Sequence, residues 1–238
     1  MKRPETLEDL LNLNPKDFEN IPIPEEEIIR WFELCNAAWY HSGNPEDPHA
    51  ELTSGYCSNG FFDCLRVLKY TNLSDILANQ LARKIRDFIG DQQVDWVIGS
   101  PMAGITFAHD VARDLGAKVN LFVEKDFDNP GKMLWNRMSI PKDDFVLQIE
   151  ELTTTAKTLD AVQEGVNQGN SNEVQWLSLV GILVHRPPSS VQYYGERKVI
   201  ALIEKEVWAV AQDKCYLCDE GSDRFRPKSN WDKLNKKI

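Results

Sequence analysis

Phe145-Val146-Leu147-Gln148-Ile149, then Glu150-Glu151, then Leu152-Thr153-Thr154-Thr155-Ala156-Lys157-Thr158 is the stretch on which the fold turns. A short apolar run of this kind, bounded by polar text, predicts a buried strand. It ends in two adjacent carboxylates, and a hydroxyl-rich turn then opens a helix over Thr158 to Val166. Hydroxyls and free amides at a helix start suit a phosphate monoester, because the first-turn N–H groups have no partner within the helix. Carboxylates just upstream suit neutral hydroxyl donors or a hydrated metal ion. A ligand with a phosphate at one end and vicinal hydroxyls in its middle satisfies both halves, and a ribose 5-phosphate is such a ligand. The same residues also read as a capped helix after an acidic loop.

Outward from this stretch, strand and helix alternate. Ser74 to Gly90 reads as an amphipathic helix, with Ser74 as its N-cap, Ile76, Leu77, Leu81, Ile85, Phe88 and Ile89 at helical spacing, and Gly90 as its stop. Val94 to Ile98 reads as a strand, Gly104 to Leu115 as a helix, and Val119 to Val123, Trp176 to Val184 and Val199 to Ile203 as further strands. Strands separated by helices imply a mostly parallel sheet covered on both faces, with ligands at the carboxyl ends of its strands. A second strand-to-helix loop, Ser100-Pro101-Met102-Ala103-Gly104, has the small residues that let backbone amides approach an anion, although such a turn also serves plain packing. The first forty residues read as two helices, the second opened by Pro24 and Glu25 to Glu27, with an apolar face from Ile28, Ile29, Phe32 and Leu34 through Trp39. His41 to His49 is turn-rich, and Leu52 to Leu65 reads as two short strands around a glycine turn.

The chain has 238 residues, 42% of them hydrophobic, and a formal net charge of −10. That charge argues against nucleic-acid coating or binding to an anionic membrane, both of which need a broad cationic surface. A small phosphorylated ligand needs only local donors. The five cysteines are odd in number and form no disulfide ladder. No apolar run has membrane-span length, and MKRPETLEDL has no signal-peptide core. The expectation is a soluble, reduced, cytoplasmic protein.

From Val146 to Thr158 the sequence resembles the phosphoribosyl-pyrophosphate (PRPP) signature of type I phosphoribosyltransferases: a hydrophobic strand, an acidic pair, hydroxyl residues and a final Ser/Thr. The resemblance runs from about residue 50 to 170. It implies that fold, an α/β domain with a mostly parallel central sheet flanked by helices and a small N-terminal hood. It also implies transfer of the phosphoribosyl group from PRPP, with Mg²⁺, to a nitrogenous base, and a homodimer. Glu150 and Glu151 would hold the ribose hydroxyls, and Thr154, Thr155, Ala156, Lys157 and Thr158 would surround the 5-phosphate. Ser100 to Gly104 resembles the pyrophosphate loop. Ser54-Gly55, Ser58 and Phe61-Phe62 resemble the hood of orotate phosphoribosyltransferases, where the aromatic pair stacks on the base; an adjacent pair in a strand also reads as one core and one surface residue. Glu124 to Lys142 reads as a mobile loop, with Lys125 and Lys132 as its cations over the departing pyrophosphate and no histidine.

Several residues depart from the pattern. The acidic pair is Glu-Glu, Thr153 stands at a usually hydrophobic position, and Met102 and Ala103 replace the commoner residues of their loop. Ala156 replaces a glycine and would be strained at positive φ. Thr53 stands where orotate enzymes carry a lysine. These departures keep a second reading open, a PRPP-sensing regulator without turnover. The chain divides into helices and hood (1–70), a phosphoribosyltransferase core (71–210) and a tail (211–238). In that tail Cys215-Tyr216-Leu217-Cys218 is half of a zinc knuckle, and a structural Zn²⁺ would need His185, Cys35, Cys57 or Cys64 to converge on it; two free thiols is the other reading.

Overall fold

A computed structural model describes residues 3–52 and 54–235. The chain opens with α1 (Leu7–Leu11), a 3-10 turn at Pro15–Phe18, and α2 (Glu25–Leu34). Thr6 and Asp9 form a reciprocal capping box on α1, and α2 starts at Pro24 with three acids in its first turn, as the sequence predicts. The expected apolar face ends at Leu34. The chain turns through Asn36 at φ 51°, and Ala38–Tyr40 is a strand, β1.

Three short strands follow: β2 (His49–Glu51), β3 (Cys57–Ser58) and β4 (Gly60–Phe62). β2 and β3 flank a turn at Gly55, whose φ of 81° favours glycine. After α3 (Leu65–Leu68) comes α4 (Thr71–Ile89), which begins three residues before the expected start. Ser74 is therefore inside the helix, and its hydroxyl donates to Asp110 Oδ2 at 2.6 Å instead of capping. Gly90 ends the helix as expected.

The core then alternates: β5 (Trp96–Gly99), α5 (Ala103–Leu115), β6 (Val119–Phe122), β7 (Glu124–Lys125), β8 (Met133–Leu134), β9 (Phe145–Thr153), α6 (Lys157–Gly169), β10 (Gln175–His185), β11 (Tyr193–Tyr194) and β12 (Arg197–Glu204). Six of these strands form one sheet in the order β11-β12-β10-β9-β5-β6, parallel except for the antiparallel edge strand β11. The crossing between β9 and β5 makes the centre of the sheet a topological switch point, where α/β sheets open a crevice at their carboxyl ends. Leu147 and Ile149 face the main core with α4 and α5, whereas Val146 packs with Val162 and Val166 of α6 on the other face.

The region expected as a mobile loop contains the β7–β8 hairpin. Its second strand lies on α6, where a Cβ at Gly165 would sit 2.5 Å from the Met133 carbonyl and one at Gly169 would overlap that of Trp135. Trp135 is buried edge-to-face against Trp96. Helical glycines that admit a backbone this closely anchor the hairpin, a packing that its charged text conceals.

The C-terminal segment adds β13 (Ala209–Val210), α7 (Tyr216–Asp219), β14 (Arg224–Phe225) and α8 (Trp231–Leu234). β13 and β14 flank β3 and β2 in a four-stranded sheet ordered β13-β3-β2-β14. The hood is thus built from both ends of the chain, and the segment set apart as a tail completes it. Cys215 and Cys218 lie beside Cys57 and His49, while His185 contacts Tyr194 and Cys64 donates to the Glu151 carbonyl. Among the described residues, no helix is long and apolar enough to cross a membrane.

Candidate functional site

Parallel register brings the two motif loops together. Gly99 pairs with Ile149, so the next residues, Ser100 and Glu150, stand side by side at the carboxyl edge. Gly99 also pairs with Phe122, which sets Glu124 and Lys125 beyond the same edge, and Thr153 pairs with His185, which delivers Arg186 there. A Cβ on Gly99 would lie 2.7 Å from the Gly104 carbonyl and 2.8 Å from Ala108 Cβ. The glycine therefore lets α5 start directly against the strand end, with its N-terminus beside the acidic pair.

That pair belongs to β9 itself, and alternation sends its members to opposite faces. Glu150 is almost wholly buried; it accepts a hydrogen bond from the Ser100 hydroxyl and one from Gln148 Nε2 at 3.2 Å. Burial pushes its pKa up to about 8, with the Glu151 charge adding to the rise and the Ser100 hydrogen bond opposing it. Glu151 faces a cleft of about 260 Å³ lined also by Phe61, Leu65, Ala103, Leu152, Arg186 and Lys228. Its Oε2 would lie 3.2 Å from a Cβ at Gly104, close to the start of α5. Burial raises its pKa too, offset by its own and Leu152's amides and by the Lys125 charge.

Downstream, Thr154 is half-buried in the turn, while Thr155, Lys157 and Thr158 are exposed around the start of α6. Among the described residues no N-cap side chain bonds this helix start, so its first-turn amides lack that partner. Ala156 has φ −66° and ψ −8°, ordinary right-handed backbone that alanine adopts without strain, which removes the concern raised by the missing glycine. Thr153 is buried, with its hydroxyl unpartnered among the described residues. In the companion loop, Ser100 and Gly104 are buried, Pro101 and Ala103 half-buried, and Met102 is 76% exposed.

The aromatic pair divides. Phe62 is a core ring, edge-to-face with Phe32 at 5.9 Å and Tyr40 at 5.4 Å, and presents only an edge of its surface to the cleft that it helps to line. Phe61, on the opposite face of β4, packs on Trp231 at 6.2 Å and borders the cleft. Lys125 and Lys132 are exposed on the hairpin, the latter beside the Asp126 carboxylate. Thr53 lies outside the described residues.

Arg186 was missed in the sequence. It is half-buried in the cleft wall, and its Nε is buried with no hydrogen-bond partner among the described residues. Burial lowers its pKa, and the neighbouring Cys64 and Tyr40 oppose that shift. Its position immediately after a buried strand was the available signal, since strand ends at the carboxyl edge carry ligands in such folds.

Comparison with known proteins decides the family. No family model matches the chain. The orotate phosphoribosyltransferase of Pelotomaculum thermopropionicum is 34% identical over 204 residues, covering 86% of this chain and 97% of the relative. That of Desulforamulus reducens is 32% identical over 205 residues, covering 86% and 96%. This chain belongs to the orotate phosphoribosyltransferase family. The solved orotate phosphoribosyltransferase of Aeropyrum pernix shares the fold at a TM-score of 0.53 and 16% identity, over 74% of this chain and 93% of its own. The enzyme of that name from Mycobacterium tuberculosis H37Rv, in complex with Fe(III) dicitrate, does so at 0.50 and 16%, over 72% and 93%. As a member of the orotate phosphoribosyltransferase family, the chain is a PRPP-dependent glycosyltransferase: it transfers the 5-phosphoribosyl group to a nitrogenous base and releases pyrophosphate.

Proposed function

We propose that the accepted base is orotate, a planar pyrimidine carrying a carboxylate, and that the site is the cleft between Glu151 and Arg186. The observation that carries this reading is Arg186, a half-buried guanidinium in the cleft wall whose buried Nε has no partner among the described residues. A cation in that state is poorly compensated until an anion arrives, and a carboxylate matches the fork of a guanidinium. The names of the relatives point the same way.

The other groups have parts that follow from chemistry. Glu151 accepts from the ribose hydroxyls. Thr154, Thr155, Lys157 and Thr158, with the free amides at the start of α6, receive the 5-phosphate. The pyrophosphate lies along Ser100 to Gly104 at the start of α5, where the helix end favours negative charge. Glu150 holds its proton near neutrality and fixes Ser100, so it positions the loop without adding a second negative charge. Mg²⁺ enters as part of the Mg·PRPP substrate; the pyrophosphate oxygens and the Glu151 carboxylate are the hard oxygen donors it prefers. In the reaction the C1–O bond to pyrophosphate breaks, the leaving group takes the electron pair, and a base nitrogen bonds to C1. Positive charge that grows on the ribose lies near Glu151, and negative charge on the leaving group lies near Lys125. The same reading includes a cytoplasmic homodimer. The five unpaired cysteines accord with a reducing compartment, and the exposed hairpin could reach a neighbouring subunit's site.

Pyrophosphate release from Mg·PRPP with a panel of orotate, uracil, adenine and hypoxanthine tests the proposal. Release with orotate and not with the uncharged bases is expected. Release with adenine or uracil but not orotate would overturn the assignment of Arg186. PRPP binding without release on any base would instead mean a sensor on the same fold.

A further inference from the structure

Outside the cleft, four metal-ligating side chains from both ends of the chain meet. His49 begins β2, Cys57 begins β3, and Cys215 and Cys218 lie just before and within α7. Their ligand atoms all fall within 4.8 Å of one another. Cys57 Sγ is 3.6 Å from Cys218 Sγ, and His49 Nε2 is 3.6 Å from Cys215 Sγ and 3.4 Å from Cys218 Sγ. Zn–S bonds of about 2.3 Å and Zn–N bonds of about 2.0–2.1 Å on a tetrahedron require edges of roughly 3.8 Å between sulfurs and 3.6 Å between sulfur and nitrogen. The three distances just given already have that size, and the remaining ones fall within 4.8 Å. It is also too open for a disulfide, whose sulfurs lie about 2.05 Å apart.

The surroundings are arranged for a cation. The Ser222 hydroxyl donates to the Asp47 carbonyl at 2.7 Å, so its oxygen accepts from His49 Nδ1, 2.8 Å away. That hydrogen bond puts the imidazole proton on Nδ1 and turns the bare Nε2 lone pair toward the sulfurs, as in the outer shells of metal-bound histidines. Arg224 Nη1 donates to Cys57 Sγ at 3.7 Å and offsets the surplus negative charge of three thiolates around a divalent ion. Three soft sulfurs and one imidazole at tetrahedral spacing select zinc over the hard oxygen-seeking cations. All four positions are filled by protein, so the site is closed and structural.

We propose that His49, Cys57, Cys215 and Cys218 bind one Zn²⁺, which staples the β2–β3 hairpin to the C-terminal segment and completes the hood. β14, paired with β2, leads from α7 toward Lys228 at the rim of the cleft, so the staple also fixes that side of the site. Elemental analysis of the full chain, purified without chelator and without a metal-affinity step, should find about one zinc per chain. Replacing zinc by Co²⁺ should give the visible d–d bands of a tetrahedral ion with a thiolate charge-transfer band. Cys218→Ser and His49→Ala should lower both zinc content and Tm, whereas Cys35→Ser and Cys64→Ser should leave zinc content unchanged. If the ligand variants fail to fold, the wild-type stoichiometry and the cobalt spectrum still decide. A wild-type protein that folds without metal and gives no tetrahedral thiolate spectrum with Co²⁺ would overturn the proposal. So would iron in place of zinc, or a Cys57–Cys218 disulfide in the protein isolated under reducing conditions.

Discussion

Two buried carboxylates sit at opposite ends of the central strands and are treated in opposite ways. Asp95, at the amino end, is 4% exposed, and it is satisfied on all sides. Lys118 Nζ lies 2.7 Å from Oδ1, Gln93 Nε2 donates at 2.7 Å, and the Phe145 amide donates to Oδ2 at 2.9 Å. Although burial alone would raise its pKa, these partners outweigh burial and hold it below the usual carboxylate value. Glu150, at the carboxyl end, is 1% exposed and among the described residues has only a hydroxyl and an amide as partners, so burial wins and its pKa climbs to about 8. Thr153 and Arg186 at the same end also keep unpartnered polar atoms among the described residues. The carboxylate at the amino end is compensated; the groups at the carboxyl end retain uncompensated polar atoms, the condition a ligand relieves.

The largest expected effect breaks this contrast at the site end. Arg186→Ala should raise KM for orotate roughly 30-fold or more, which corresponds to about 2 kcal/mol or above for a desolvated charge pair. Steady-state assays should show this while the affinity for Mg·PRPP stays within about threefold and Tm does not fall, since a half-buried cation with an unpartnered Nε is being removed. A large drop in Tm would place Arg186 among the stabilising groups. Next in size, Asp95→Ala should cost about 2–3 kcal/mol of stability in urea unfolding, because charged hydrogen bonds to a buried group are lost together. The folded fraction should keep its kcat; a loss of kcat without a loss of stability would contradict the division.

The two carboxylates also predict opposite pH dependences. Native Glu150 holds its proton between its ordinary 4.5 and about 8, where the unfolded chain has lost it, so its contribution to stability declines as pH rises through that window. Asp95, whose pKa is lowered, contributes above its ordinary value and loses that contribution as pH falls below it. Glu150→Gln should therefore flatten the stability profile between pH 5 and 8. An unchanged slope would mean that Glu150 is ionised in the native state. The smallest effects belong to the hairpin. Lys125→Ala should lower kcat about tenfold, consistent with its proximity to Glu151, while Lys132→Ala, beside Asp126, should change it about twofold at most. A reversal of that order, measured at fixed ionic strength, would show that the hairpin closes differently.

Local periodicity made the sheet legible, and the carboxyl-edge rule located both loops, because strand, acidic pair and helix start are adjacent in the chain. What stayed hidden depends on contacts between distant residues. β13 and β14 find the hood only by pairing with strands about 150 and 175 residues away, and His49 reaches the cysteines only through that pairing. Arg186 carries no local motif; only the pairing of His185 with Thr153 brings it to the cleft. Ser74 is a plausible cap by type, but its hydroxyl finds Asp110 on another helix. Nor does sequence spacing reveal that Glu150 is buried beneath Ser100 while Glu151 faces the cleft.

Thr155→Asp tests the sugar-phosphate grip with the least ambiguity. Thr155 is exposed just before α6, so a carboxylate there fits the solvent-facing surface and interacts favourably with the helix dipole. Calorimetric titration with Mg·PRPP should show affinity weakened by roughly 100-fold or more, because two negative groups would compete for the same helix end, while Tm stays level or rises. Unchanged affinity for Mg·PRPP in a fully folded Thr155→Asp protein would mean that the phosphate is held elsewhere.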